Sequence, residues 1–135
     1  RLLQQVLVNI LMNAAQAMPE GGELTVATGQ GPASGGEDGV TVGKAFAPYD
    51  QAATITVADT GPGIAEGDLP RIFEPFFSTK ETGKGVGLGL AICHSIVEEL
   101  GGTINIRSAP GLGTTVRILL PADGAAEREA GHRAV

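Results

Sequence analysis

The sequence has little of several features that would indicate common classes of protein. Cys93 is the only cysteine, so no internal disulfide can form, and a zinc site would lack a second thiol ligand. No stretch approaches the roughly 20 consecutive apolar residues that a membrane-spanning helix requires. Lysine and arginine number 9 against 15 aspartate and glutamate, and the net charge of −6 leaves no broad basic surface for nucleic acid or anionic lipid. We therefore expect a protein of a reducing, cytoplasmic compartment without a nucleic-acid partner.

The length and the apolar content suit one compact domain. There are 135 residues, of which 42% are apolar, and this is enough to build a single core. The chain begins at Arg1 inside an amphipathic pattern, with neither an initiator methionine nor a signal-peptide pattern. We therefore expect it to be a piece of a longer protein.

Two helices are predicted where apolar residues recur at a helical period. The first covers residues 3–18 and the second covers residues 88–100, and each stops at a stretch of glycine or proline. Between them, residues 68–73 are expected to form a short helix, because Asp68 can cap it and Pro70 suits its first turn.

Strands are predicted where apolar and polar residues alternate, over residues 24–27, 54–58, 103–108 and 114–120. The last two flank a turn of proline and glycine and predict a hairpin. Residues 29–53, rich in glycine, are expected to form a long flexible connection with little part in the core, and residues 122–135 a disordered tail. Because the strands are grouped and do not strictly alternate with helices, the sequence predicts an α+β fold, a two-layer sandwich with helices on one face of a mixed sheet.

An uncharged amide stripe runs along one flank of the first predicted helix. Gln5, Asn9, Asn13 and Gln16 follow one another at helical spacing. The side-chain oxygen of Asn13 is a hard ligand of the kind that Mg²⁺ takes, with its other positions left to phosphates and water. The alternative is that the stripe is simply a solvated helix face.

Two glycine-containing segments suit close contact with a ligand. DTGPGI, residues 59–64, follows a strand directly, so Asp59 could accept a hydrogen bond from an amine such as that of adenine; the alternative is a plain turn. GKGVGLGL, residues 83–90, precedes a helix, and its backbone N–H groups could bind phosphate; the alternative is a flexible hinge.

The segment between them, RIFEPFFSTK over residues 71–80, has the composition of a mobile lid. Phe73, Phe76 and Phe77 could anchor one side of it, while Lys80 or Lys84 reaches a phosphate as a point charge. The alternative is that at least one of the phenylalanines belongs to the core.

Taken together and in this order, five segments resemble the N, G1, F, G2 and G3 boxes of the catalytic domain of bacterial-type sensor histidine kinases. They are NILMNAAQAM, DTGPGI, RIFEPFFSTK, GKGVGLGLAI and GLGTTVRILLP. The order makes the resemblance specific, and it covers residues 1–121. The wider GHKL superfamily shares this Bergerat-type ATP-binding fold with DNA gyrase, a large heat-shock chaperone and mismatch-repair ATPases. Within the lid, EPFFSTK is similar to the nitrogen-regulation subgroup of sensor kinases.

The resemblance implies roles for particular residues. Asn13 would ligate Mg²⁺, Asn9 would lie beside the phosphates, and Asp59 would recognise adenine. Lys80 would lie in an ATP lid over residues 65–86. The catalytic residues would be Asn9, Asn13 and Lys80. The remaining nucleotide contacts that it implies are Gly61, Gly63, Ile64, Gly85, Val86, Gly87, Leu88, Gly89, Thr114 and Thr115. Val86 departs from the family, which often has a hydroxyl-bearing residue there.

The resemblance also implies an activity and its partners. The domain would bind ATP with Mg²⁺ and donate the γ-phosphate to a histidine on an upstream dimerisation domain, which in turn serves a response regulator; the isolated domain would be monomeric. Gyrase-like relatives carry a water-activating glutamate where this chain has Asn9, and an amide cannot act as that base. His94 and His132 lie outside the setting of a phosphoacceptor helix, and His94 is expected to be a surface or packing residue. The alternatives are an ATPase or serine kinase of the same fold, and an ATP-sensing module without transfer.

Overall fold

Two helices and five strands make up the part of the chain that the structure, a computed structural model, describes: residues 2–32, 39–43, 51–75 and 89–121. The predicted α+β sandwich is confirmed. In chain order the elements are α1 (Leu2–Ala17), β1 (Leu24–Pro32), β2 (Val40–Gly43), β3 (Gln51–Asp59), a 3₁₀ turn (Leu69–Arg71), α2 (Gly89–Glu99), β4 (Thr103–Ser108) and β5 (Thr114–Pro121).

The five strands form one sheet in the order β1-β3-β5-β4-β2, and each described pairing is antiparallel. A mixed sheet was expected, and the difference has a simple cause. A parallel pair needs a crossover, usually a helix, between neighbouring strands. The crossover helix α2 joins β3 to β4, but β5 lies between these two strands and pairs antiparallel with both.

Residues 29–53, which were predicted as a long flexible connection with little part in the core, contain strand residues. β1 extends to Pro32, β3 begins at Gln51, and β2 lies at the far edge of the sheet against β4. Val42 of β2 is the register partner of Ile104 and packs against the core. The prediction of a flexible connection was therefore wrong for residues 29–32, 40–43 and 51–53, which belong to strands. Residues 33–38 and 44–50 lie outside the described residues.

The core lies between the two helices and one face of the sheet. Residues that alternate along the central strands share that face, as the two-residue period of a strand requires. The buried members of the cluster are Val6 and Ile10 of α1, Cys93, Ile96 and Val97 of α2, Val57, Ile104, Ile106, Val116 and Ile118 of the strands, and Ile72 of the segment after the 3₁₀ turn. Neither described helix is long and apolar enough to cross a lipid bilayer.

Candidate active site

One end of the sheet, where four of its strands begin or end, brings together two of the predicted site residues, Asp59 and Thr114. Register pairs join Leu24 to Asp59, Asp59 to Thr114, and Thr114 to Ser108, so these four residues form a row across four strands. Partners on neighbouring strands point to the same face. Two residues further along, Val57 and Val116 are in the core, so Asp59 and Thr114 lie on the helix side of the sheet.

The register also separates the two predicted threonines. Thr115 is the partner of Ala58, one step from the Asp59 pair, and successive residues of a strand point to opposite faces. Thr115 therefore lies on the face away from the helices. Of the two threonines, the fold brings only Thr114 beside Asp59.

The segment of residues 59–64, here called the 59–64 loop, begins with a turn that Asp59 itself stabilises. The Asp59 Oδ1 atom accepts a hydrogen bond from the backbone N–H of Gly61 at 2.8 Å. A side chain at Gly61 would meet Ala17 at the end of α1, because an added Cβ would be 3.3 Å from the Ala17 Cβ. The loop thus packs closely against the last turn of α1, and a side chain at position 61 would have to displace its neighbours slightly.

A second set of hydrogen bonds ties the 59–64 loop to the turn between β4 and β5, here called the 109–113 turn. The Ile64 N–H donates to Ser108 Oγ at 2.7 Å, and the Gly111 N–H donates to the Pro62 carbonyl at 2.8 Å. Gly63 has a φ of 80°, and any Cβ there would strike the Ala109 carbonyl oxygen. Two turns from distant parts of the chain are therefore held face to face.

A hydroxyl also ties the 59–64 loop to the connection between α1 and β1. The Thr60 N–H donates to the Glu23 carbonyl at 3.2 Å, and the Glu23 N–H donates back to Thr60 Oγ1 at 3.0 Å. Thr60 Oγ1 in turn contacts the Met18 sulfur at 3.5 Å. Sequence reasoning missed these hydrogen bonds of Thr60 and those of Ser108. The only signal for them is that both hydroxyl residues lie beside turns of glycine and proline.

The amide stripe of α1 is divided between solvent and α2. Gln5 and Gln16 are exposed, whereas Asn9 and Asn13 are partly buried. The Asn13 amide lies beside the start of α2, because an added Cβ at Gly89 would be 3.8 Å from Asn13 Nδ2 and 3.9 Å from Oδ1. The solvated-face interpretation therefore suits Gln5, whereas the two asparagines face a neighbouring helix.

Asn9 contacts the one cysteine of the chain. Burial raises the pKa of the Cys93 thiol from 9.0 to about 11, and a hydrogen bond from the Asn9 side chain partly opposes that rise. The thiol also lies 3.7 Å from the Val6 carbonyl, as a weak donor. Cys93 is fully buried, and these contacts make it a packing residue between α1 and α2.

We expect Cys93 to be inert in the folded chain. An Ellman-type reagent at pH 8 should label it only after denaturant is added, because the thiol is buried and protonated. The free energy of unfolding should fall as the pH rises from 9.0 towards about 11, since the thiol ionises first in the unfolded state. Cys93→Ala is the control. The part of the pH dependence of the free energy of unfolding that disappears in this variant is due to the thiol and not to other groups that titrate at alkaline pH. Labelling of the native protein at the rate of a free thiol would contradict this assignment.

The start of the predicted lid packs on α2. Phe73 is partly buried against the core, and its ring meets that of His94 edge to face, with centroids 5.9 Å apart. The His94 Nε2 atom lies 3.8 Å from Glu98 Oε1. The prediction that one phenylalanine belongs to the core is thus confirmed for Phe73, and His94 lies in the packing role predicted for it. The short helix predicted over residues 68–73 is a single 3₁₀ turn, without a side-chain cap from Asp68.

The remaining predicted contacts lie outside the described residues. These are Lys80, Gly85, Val86, Gly87 and Leu88, together with Phe76, Phe77 and Lys84. Among the described residues, no three His, Cys, Asp or Glu side chains come together in a cluster that could hold a metal ion.

Residues 1–124 match the family described as histidine kinase-, DNA gyrase B- and HSP90-like ATPase. The chain belongs to this family. Among curated relatives of this ATPase domain, the sensor kinase CckA of Brucella abortus is 45% identical over 118 residues, which are 87% of this chain and 12% of CckA. The sensor histidine kinase ZraS of Escherichia coli K12 is 40% identical over 119 residues, which are 88% of this chain and 21% of ZraS. The chain thus spans about an eighth to a fifth of these two relatives.

Solved structures agree with this assignment. A mycobacterial sensor histidine kinase, MprB, is 30% identical with a TM-score of 0.63, over 89% of this chain and 70% of that chain. Full-length ShkA, solved in complex with AMPPNP, is 28% identical with a TM-score of 0.62, over 91% of this chain and 22% of that chain. The ATPase domain described here is therefore a catalytic domain of the sensor histidine kinase type, as the order of its motifs indicated. The nitrogen-regulation subgroup stays a prediction.

Proposed function

We propose that this domain binds ATP with Mg²⁺ between α1, α2 and the 59–64 loop, and that it donates the γ-phosphate to a histidine of a separate dimeric helical domain. One observation carries the proposal. The last two turns of α1 contact the 59–64 loop through Ala17 and the start of α2 through Asn13. The predicted adenine side and the predicted phosphate side of the site are therefore adjacent parts of one region.

The adenine side consists of Asp59, Thr114 and the glycines of the 59–64 loop. One carboxylate oxygen of Asp59 is held by the Gly61 N–H, which fixes the orientation of the group. The other oxygen can accept from the amine of adenine, and guanine would present an oxygen at that place. Ile64, partly buried against the core, supplies an apolar surface next to the loop.

The phosphate side consists of Asn13, Asn9 and the start of α2. The N-terminus of a helix attracts anions, because its first N–H groups have no partner within the helix. The Asn13 amide lies beside Gly89, the first residue of α2. An amide oxygen at this position fits Mg²⁺, which in such sites keeps few protein ligands and would offset charge on the phosphates.

Asn9 supports transfer to another nucleophile over hydrolysis. Gyrase-like relatives carry a glutamate at this place, and an amide has no lone pair basic enough to take a proton from water. The Asn9 side chain is in addition engaged by the thiol of Cys93. The domain thus lacks the base that hydrolysis would use at that position, and positioning and charge stabilisation are what it contributes to phosphoryl transfer.

The test is a transfer assay in trans. The 135-residue chain would be mixed with γ-labelled ATP, Mg²⁺ and a separately purified dimerisation domain of the parent kinase. We expect label on the histidine of that domain and none on a variant in which the histidine is glutamine. Tight ATP binding with no label would favour the ATP-sensing alternative, and rapid phosphate release without an acceptor would favour the ATPase. Label on a serine would favour the serine kinase.

A further inference from the structure

We propose that Ser108 is a positioning residue for the base of the nucleotide. It holds the 59–64 loop in place and takes the hydrogen of the Thr114 hydroxyl, so that this hydroxyl can only accept a hydrogen bond from the nucleotide. The inference rests on the proposed role of Asp59 and deepens it, because it concerns how the site selects adenine. Neither the motifs in the sequence nor the resemblance assigns a role to Ser108.

A count of protons at the Ser108 hydroxyl fixes the direction of each hydrogen bond. Three partners surround Ser108 Oγ: the Ile64 N–H at 2.7 Å, the Gly113 carbonyl at 2.9 Å and Thr114 Oγ1 at 2.9 Å. A hydroxyl has one hydrogen and two lone pairs. The Gly113 carbonyl can only accept, so it takes the hydrogen of Ser108. Ser108 must therefore accept from Ile64 and from Thr114.

The consequence for Thr114 is that its single hydrogen is committed to Ser108. Its two lone pairs can accept on the helix side of the sheet, where Thr114 is the register partner of Asp59. Opposed residues of antiparallel strands have Cβ atoms roughly 5 Å apart. Two acceptors side by side match an exocyclic amine, which has two hydrogens, and they repel the carbonyl oxygen that guanine or hypoxanthine carries at that position.

The same hydroxyl also limits the conformations of the 59–64 loop. Glycines at 61 and 63 make this loop intrinsically free, and the Ile64 N–H is the point at which Ser108 fixes its far end. Without the hydroxyl, that N–H loses its partner and a smaller fraction of molecules has the loop in the binding conformation. The apparent affinity falls in proportion to that fraction whatever the base, so only the orientation of Thr114 makes the loss larger for one base than for another.

The experiment compares ATP with inosine triphosphate, which carries an oxygen in place of the amine, by calorimetry on the 135-residue chain. Ser108→Ala should weaken ATP binding about tenfold and inosine triphosphate binding less than about threefold, so the preference for ATP shrinks. Ser108→Thr keeps the hydroxyl and should stay within about twofold of the wild type, since a β-branched residue suits a strand. The matched control is Thr41→Val, which removes a hydroxyl far from the site, one that accepts a hydrogen bond from Asn105 Nδ2 at 2.9 Å. This variant should leave both affinities unchanged.

Several outcomes would overturn the inference. Equal losses for the two nucleotides in Ser108→Ala would make Ser108 merely structural, and so would no rescue by Ser108→Thr. Asp59→Asn in the same series distinguishes this inference from the proposed function. If Asp59→Asn binds ATP as tightly as the wild type does, the proposed adenine site itself is wrong. If Asp59→Asn binds ATP more weakly while Ser108→Ala binds it normally, only the role of Ser108 is wrong. If Ser108→Ala does not fold, hydrogen exchange in the wild type decides, because an Ile64 amide that exchanges as fast as that of Gly67 excludes the bond.

Discussion

Asn13→Ala is expected to lower the affinity for ATP in the presence of Mg²⁺ by about a hundredfold, or roughly 3 kcal/mol, the scale of a lost metal contact to phosphate. The reason is that Asn13 would supply the protein oxygen for the metal at the start of α2, where its amide already lies beside Gly89. In EDTA the wild type should bind ATP weakly and the variant about equally weakly. Titration calorimetry with and without Mg²⁺ measures both values.

Gln5→Ala is the control for that experiment. Gln5 belongs to the same amide stripe, two turns earlier on α1, and is exposed. Its replacement removes an amide and keeps the helix, so Mg²⁺-dependent binding should be unchanged. An equal loss in Asn13→Ala with and without the metal would instead assign Asn13 to the shape of the pocket, and normal binding would remove it from the site.

Gly113→Ala is expected to cost about 3 kcal/mol of the free energy of unfolding and most of the ATP affinity. Gly113 has a φ of 80°, and an added Cβ would strike the Asp59 carbonyl oxygen. The oxygen belongs to the backbone and a Cβ is attached directly to it, so neither atom can turn away as the end of a long side chain would. The clash must therefore push the end of β3 away from β5, and Asp59 moves with it.

Gly111→Ala is the control that separates the backbone strain of a positive φ from the clash with Asp59. Gly111 lies in the same turn with a φ of 79°, but nothing is within 4 Å of an added Cβ. Alanine at this position should lower the free energy of unfolding only by the strain of the left-handed conformation, about 1 kcal/mol, and should leave ATP binding intact. Urea unfolding of both variants gives the comparison. Equal costs at the two positions would contradict the close approach of the turn to Asp59.

Local pattern was enough for the elements whose signals lie within a few residues. β4 was predicted with the bounds that it has, because Ile104 and Ile106 alternate with polar residues ahead of a proline and glycine turn. β2 was missed because it has 4 residues, and what makes it a strand is pairing with β4, as Val42 does with Ile104. No window of sequence contains both strands. For the same reason the order of strands, and with it the absence of a parallel pair among the described strands, could not be foreseen.

The site divides in the same way. Asn13 and Asp59 were predicted from motifs, and the fold brings each to the region where the proposal needs it. Ser108 was not predicted, because its hydroxyl bonds to Ile64 across 44 positions of the chain, and the bond between Thr60 and Glu23 spans 37. The choice between Thr114 and Thr115 likewise needed the register of β3 with β5. The residues with suitable ligand-binding groups were predictable from their types and motifs, whereas the long-range hydrogen bonds that orient those groups were not.

The central place of β5 has a consequence for how the chain assembles. β5 is the last of the described strands in sequence, yet within the sheet it alone joins the β1–β3 pair to the β4–β2 pair. A chain that emerges from the ribosome from its N-terminus can form those pairs separately, but it has no complete surface for the helices to cover until the last strand arrives. Asp59 and Ser108 belong to different halves, so the insertion of one late strand completes the hydrophobic interior and the base-recognition edge in a single event.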